Sequence, residues 1–180
     1  MKENLKLGAI LLAITAIAGL ILAFAHDITK APIEAKAKAD QAVAMKVVLE
    51  AEEFTDLTDD ITNESITGLF EAKTGGNAAG YVFQVNSSGY GGKIELMVGI
   101  NGEGAVSGIK ILSHTETPGL GSKAEDPTFT EQFKGLPSET ELAVGSDIQA
   151  ITGATITSKA VTNGVNTAIN YYNTNLKGAK

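Results

Sequence analysis

Apolar and polar positions divide the chain into three stretches. Leu7 to Ala25 is an unbroken run of 19 uncharged, mostly apolar residues. As a helix it would be about 28 Å long, close to the hydrocarbon thickness of a bilayer. Lys2 and Lys6 flank it on one side, and His26, Asp27 and Lys30 on the other. Ala23-Phe24-Ala25 has the small-x-small form of a signal cleavage site. The run nevertheless exceeds the roughly 7–15 apolar residues of a signal core, so an uncleaved anchor is expected. Lysines lie on both sides, and the positive-inside rule does not decide its orientation. A short head before an N-terminal anchor suggests a cytoplasmic N-terminus, with the remaining domain outside.

Polar helix formers dominate the second stretch, Asp27 to about Glu53. They predict a stalk helix, capped by Asp27 or Thr29 with Pro32 in its first turn. Ile33, Ala37, Ala44, Val47 and Val48 would form a narrow apolar stripe. In the third stretch, β-rich runs at Gly68–Lys73, Gly80–Val85, Ile94–Ile100 and Val106–Leu112 alternate with turn signals. These are Gly75-Gly76, Ser87–Gly92 and Asn101-Gly102, the last a strong hairpin signal. The pattern predicts an antiparallel meander. A short helix is expected at Asp126–Phe133, and a strand or extended segment turning into the next helix at Asp147–Ser158. A longer helix is expected from Thr157 to about Leu176, with Val161, Val165, Ile169 and Tyr172 on one face. The class is α+β: an N-terminal transmembrane helix, then an antiparallel sheet with flanking helices. Residues 1–6 form a flank, 7–25 the anchor, 26–65 the stalk helix with an acidic segment, and 66–180 the folded domain.

Composition narrows the function. The chain has 180 residues, no Cys and a net charge of -7. Without Cys there is no disulfide framework, iron–sulfur cluster, Cys-ligated zinc or thiol nucleophile. All 14 basic residues are Lys, and this acidic balance argues against nucleic acid as a partner. Glu50, Glu52, Glu53, Asp56, Asp59, Asp60 and Glu64 carry the whole net charge. Their spacing is not that of an EF-hand calcium loop, and a solvated loop and helix end is the plainer reading.

Two segments concentrate polar chemistry. The first, His114-Thr115-Glu116-Thr117-Pro118-Gly119-Leu120-Gly121-Ser122-Lys123, follows a strand. Pro118-Gly119 favours a tight turn, and Gly121 permits close backbone approach to a ligand. Read alone it could be an ordinary surface turn. Metal binding is not expected, since only His114 and Glu116 are available locally. Nor is a Ser-His-Asp hydrolase, since no Gly-x-Ser-x-Gly elbow exists. The second segment runs from Asp147 through Thr152-Gly153-Ala154-Thr155-Ile156-Thr157-Ser158. Thr157 and Ser158 are candidate helix caps, and small residues leave the backbone open beside Thr155. A phosphate near Thr155 would meet free N–H groups at a helix N-terminus.

Together these segments resemble the FMN-binding domain of the G subunit of the Rnf electron-transport complex, shared with the C subunit of the sodium-pumping NADH:quinone oxidoreductase. That pattern is His-x-Glu-Thr-Pro-Gly-Leu-Gly, followed about thirty residues later by Asp-x-x-[Ser/Thr]-Gly-Ala-Thr-x-[Ser/Thr]-Ser. His114 to Gly121 and Thr152 to Ser158 match it, as do the N-terminal anchor, the Ser88–Gly92 loop and the C-terminal helix. Asp147 departs, lying five residues before Thr152. Gly121-Ser122-Lys123 and the short chain favour the Rnf pattern.

The resemblance implies FMN bound covalently by a phosphoester to Thr155, placed there from FAD by a flavin transferase. Asp147, Thr152, Gly153, Ala154, Thr157 and Ser158 would form the flavinylation motif. His114, Glu116, Thr117, Pro118, Gly119, Leu120, Gly121 and Lys123 would line the cofactor, with Thr117 and Leu120 touching the ring. Lys123 or a nearby N–H would stabilise reduced flavin. The implied complex moves electrons between ferredoxin and NAD+ and couples this to ion transport; the chain would pass electrons to and from neighbouring membrane subunits and would hold no catalytic residues of its own. The corresponding quinone-reductase subunit, a stand-alone flavinylated carrier, and a cofactor-free membrane-anchored assembly module are the alternatives.

Overall fold

A computed structural model describes residues 2–178, which fall into two units meeting between Gln41 and Ala42. The first unit is most of helix α1 (Lys2–Val48). Its most apolar window has a mean hydropathy of 2.6 and is wholly exposed, so the helix is long and apolar enough to cross a membrane. Here the expected helix start is corrected. Pro32 lies inside α1, and Thr29 donates its hydroxyl back to the Ala25 and His26 carbonyls rather than capping a new helix. One helix therefore runs through the anchor and the stalk.

The second unit is built on a five-stranded antiparallel meander in the order β1-β2-β3-β4-β5. Its strands are β1 (Glu53–Asp56), β2 (Ile66–Thr74), β3 (Asn77–Ser88), β4 (Lys93–Asn101) and β5 (Val106–His114). The four longer strands are those that the β-rich runs predict. Strand β1 lies inside the acidic run, where charge hides the strand pattern, and it pairs with β2 from Glu53 opposite Lys73 to Asp56 opposite Phe70. Charged residues suit such an edge, because they discourage pairing with another chain. The Asn101-Gly102 signal marks a longer loop than a two-residue hairpin. The Asn101 carboxamide oxygen accepts the N–H groups of Glu103 and Ala105, and β5 begins only at Val106.

Both faces of the sheet are covered. On one, Leu69, Phe83, Val85, Ile94, Leu96, Val98 and Ile100 pack against α3 (Thr155–Tyr171) and its flanking loops. The α3 residues Val161, Val165 and Ile169, with Tyr172 just beyond, are all buried, as their spacing predicts. On the other face, Phe70, Ala72, Val82 and Met97 pack against Ala44, Met45, Val48 and Leu49 at the end of α1. The apolar stripe is thus narrower than the sequence suggests: Ile33 and Val47 are exposed. Helix α1 stops at Val48, short of Glu53, and the Ser107 hydroxyl satisfies the terminal Val48 carbonyl by donating to it. A one-turn helix α2 (Pro127–Thr130) continues into a tighter turn to Phe133 and completes the expected short helical segment.

Candidate functional site

Two turns of the same kind carry the two polar segments. In Thr117–Leu120 the Leu120 N–H reaches the Thr117 carbonyl at 3.2 Å, and in Ile151–Ala154 the Ala154 N–H reaches the Ile151 carbonyl at 2.9 Å. The third residue of each is glycine at positive φ, 76° at Gly119 and 80° at Gly153. A turn with this dihedral at its third position favours Gly, with Pro preferred before it, as Pro118 is. The turns also touch, since a Cβ on Gly153 would lie 3.3 Å from the Leu120 side chain.

Helix α3 starts at Thr155, directly after the second turn, with Ala154 at the cap position and no side-chain cap. The expectation that Thr157 and Ser158 cap the helix is therefore corrected: both lie within its first turn and are buried. Ser158 instead shapes the preceding turn. Its hydroxyl accepts the Ile151 N–H at 2.9 Å and donates to the Ala154 carbonyl at 3.0 Å. Thr157 donates at 2.6 Å to Glu116 Oε2. Thr155, by contrast, is exposed. The N–H groups of Thr155, Ile156 and Thr157 have no carbonyl one turn earlier within the helix to bond.

Glu116 is a buried carboxylate at the centre of this arrangement. Its Oε2 takes the Thr157 hydroxyl, and its Oε1 accepts the Gly91 N–H at 3.0 Å from the β3–β4 hairpin. Backbone is packed closely around it. A Cβ on Gly121 would lie 2.6 Å from Oε2, and one on Gly91 would collide with the Thr115 carbonyl. His114 stands one layer away. Its Nδ1 accepts the Glu116 N–H at 3.1 Å, and its Nε2 lies 3.2 Å from Glu125. It therefore orients the strand end from which Glu116 projects.

The result is a cleft of about 630 Å3 lined by Tyr90, Glu116, Thr117, Leu120, Gly121, Gly153, Ala154, Thr155, Ile156 and Thr157. It draws on both polar segments, separated by some thirty residues of chain. Tyr90 and Ile156 are additions to the expected cofactor-contacting residues, although Tyr90 lies in the Ser88–Gly92 loop and Ile156 inside the second matched segment. The signal for Tyr90 is an aromatic residue among Gly89, Gly91 and Gly92 at a hairpin tip. Several expected residues do not line this cleft. Pro118, Gly119 and Ser158 shape its turns, while His114 accepts the Glu116 backbone N–H. Lys123 lines a separate, smaller cleft with Asp126, Gln132 and Gln149. Thr152 is an exposed turn residue. Asp147 holds its own turn, accepting the Ala143 N–H at 2.8 Å and the Ser146 hydroxyl at 2.9 Å. Those bonds, the backbone one foremost, hold its carboxyl below the ordinary carboxylate value.

The cleft fits a flat cofactor with a phosphate tail. Its volume lies in the range of small-molecule sites. Tyr90, Leu120 and Ile156 are 71%, 45% and 55% exposed, large apolar or aromatic faces left open around one hollow. The start of α3 offers N–H donors and the positive end of a 17-residue helix for a phosphate. Among the described residues, no three His, Asp or Glu side chains are grouped to hold a metal ion.

Residues 89–170 match the model of the FMN-binding domain family. The chain is 37% identical to the G subunit of the Na+-translocating ferredoxin:NAD+ oxidoreductase complex of Acetobacterium woodii, over 95% of this chain and 92% of that one. It is 34% identical to the G subunit of an ion-translocating oxidoreductase complex of Methanosarcina acetivorans, over 94% and 95%. The fold is similar to that of NqrC from Shewanella oneidensis, with a TM-score of 0.50 and 20% identity over 57% of this chain and 54% of that one. A meander, a cleft between two glycine turns and relatives matching along nearly the whole length agree: the chain belongs to the family of G subunits of ion-translocating oxidoreductase complexes.

Proposed function

We propose that this chain is the membrane-anchored flavoprotein subunit of an ion-translocating ferredoxin:NAD+ oxidoreductase, carrying FMN as a phosphoester on Thr155 and relaying electrons to neighbouring subunits. The observation that carries the attachment residue is a contrast among hydroxyls. Thr155 is an exposed residue in the cleft lining, whereas Thr157 and Ser158 are buried with their hydroxyls bonded. A flavin transferase would supply FAD. The Thr155 oxygen would displace AMP from the phosphorus of the FMN half, with the hydroxyl proton passing to a base of the transferase.

Bound FMN supplies reversible electron acceptance, and the chain's residues supply its place and surroundings. The first-turn N–H groups of α3 would hold the phosphate, and Leu120, Ile156 and Tyr90 line the cleft that would take the ring. A tether of this kind keeps the cofactor through repeated redox cycles. Residues 7–25 sit among the lipids of the cell membrane, with the N-terminus cytoplasmic and the flavin domain outside.

The test is intact mass and in-gel flavin fluorescence of the full chain co-expressed with a flavin transferase, beside Thr155→Ala. A gain equal to FMN less water in the wild type, absent in the variant, is expected. An unmodified wild type in the presence of an active transferase would overturn the covalent attachment.

A further inference from the structure

The Glu116 carboxylate joins two parts of the cleft that the attachment chemistry leaves unconnected. Oε2 is held by Thr157, two residues beyond Thr155 on α3. Oε1 is held by Gly91, directly after Tyr90 on the β3–β4 hairpin. The hairpin is fastened to the same strand end a second time, because the Thr115 hydroxyl donates to the Gly91 carbonyl at 3.1 Å. Gly89, Gly91 and Gly121 crowd this bridge so closely that none could carry a Cβ without displacing it. A buried carboxylate with both oxygens committed does not reorient freely. Tyr90, whose backbone is thus fixed, is nevertheless largely exposed and lines the cleft. A large aromatic face held open beside a hollow is an unfilled contact, and aromatic rings favour offset or edge contacts with one another.

We propose that Glu116 is a positioning residue that fixes the Tyr90 hairpin relative to the start of α3, so that the Tyr90 ring lies against the flavin ring carried on Thr155. This rests on the covalent-flavin proposal and deepens it. Two bonds of one carboxylate, to Thr157 and to the Gly91 N–H, tie the helical turn that bears Thr155 to the hairpin that bears Tyr90. In this role Glu116 acts through Tyr90. The arrangement is independent of Lys123, which faces another cleft.

A phenol in contact with a photoexcited flavin donates an electron to it and recovers that electron, so emission is lost without net reaction. A Phe ring makes the same contact but is a much poorer donor. The measurement is flavin fluorescence lifetime on the full chain, co-expressed with a flavin transferase, after intact mass has established FMN loading. Tyr90→Phe, at an exposed position, is expected to lengthen the mean lifetime severalfold with loading unchanged. Glu116→Ala is expected to lengthen it as well, and Glu116→Gln, which keeps an acceptor for the Gly91 N–H, to stay near the wild type. If Glu116→Ala does not accumulate folded, Thr157→Val removes the other end of the bridge and takes its place, with the same expectation. Loaded chains whose lifetimes are indifferent to Tyr90→Phe overturn the ring contact. A long lifetime in Tyr90→Phe with a short one in the bridge variant overturns the role of Glu116. A wild type without FMN overturns the covalent-flavin proposal itself, a result that the mass separates from the other two.

Discussion

The Thr157 hydroxyl donates to the buried Glu116 carboxylate across 2.6 Å, a hydrogen bond between the two polar segments of the chain. It also explains why neighbouring hydroxyls on the same helical turn differ. Thr157 is occupied within the protein, while Thr155, two residues earlier, is exposed.

Thr157→Val should therefore lower stability without moving the attachment site. The change leaves a buried carboxylate oxygen short of a donor, at a cost of about 1–3 kcal/mol. Urea denaturation of the domain should show it, and peptide mapping of the flavinylated chain should still find FMN on residue 155. Flavin on another hydroxyl would contradict the contrast in exposure.

Gly121→Ala tests the close packing around the carboxylate. The added Cβ would lie 2.6 Å from Glu116 Oε2 and 2.8 Å from the Thr157 hydroxyl. Overpacking of this sort costs about 1–3 kcal/mol. Lower melting temperature together with reduced flavin loading is expected; an unchanged melting temperature would mean the turn shifts freely to make room.

Gly153→Ala acts through the backbone instead. At φ 80° an L side chain is strained, and a destabilisation of about 1 kcal/mol or more is expected. Because Thr155 follows two residues later, the rate of flavin transfer should fall more than stability does. Time courses of FMN incorporation, normalised to folded protein, measure this, and equal rates would sever the turn from the placement of Thr155.

Asp147 makes a prediction about pH. Its folded-state pKa is depressed, first by the Ala143 N–H and then by the Ser146 hydroxyl. Its stabilising contribution is complete above the unfolded-state value and is lost as pH falls through the folded one. Wild type and Asp147→Asn should differ in melting temperature at neutral pH and converge on acidification below the ordinary carboxylate range. A gap that persists in acid would show that the carboxylate charge is not what holds the turn.

Much of the fold was legible from local pattern. The 19-residue apolar run, the four longer strands and the buried face of α3 each follow from a repeat in sequence matching a helical or strand period. Strand β1 was hidden because pairing with β2 outweighs an acidic, four-residue sequence. Pro32 also misled, since a proline that suits a helix start is here inside a longer helix.

The sequence by itself determined which residue types the site contains. Two glycine turns, a hydroxyl-rich helix start and a single acid in the first turn's approach are written in adjacent letters, because turn chemistry and helix starts are local. Only the tertiary structure decided which of those groups face the cleft. Three hydroxyls within four residues of one helix start are alike in sequence, yet one is exposed and two are buried. Glu116 lies 41 residues before Thr157, and Tyr90 stands on a third segment. Their meeting depends on the sheet's register and the packing of α3 across it, long-range contacts that no local pattern encodes.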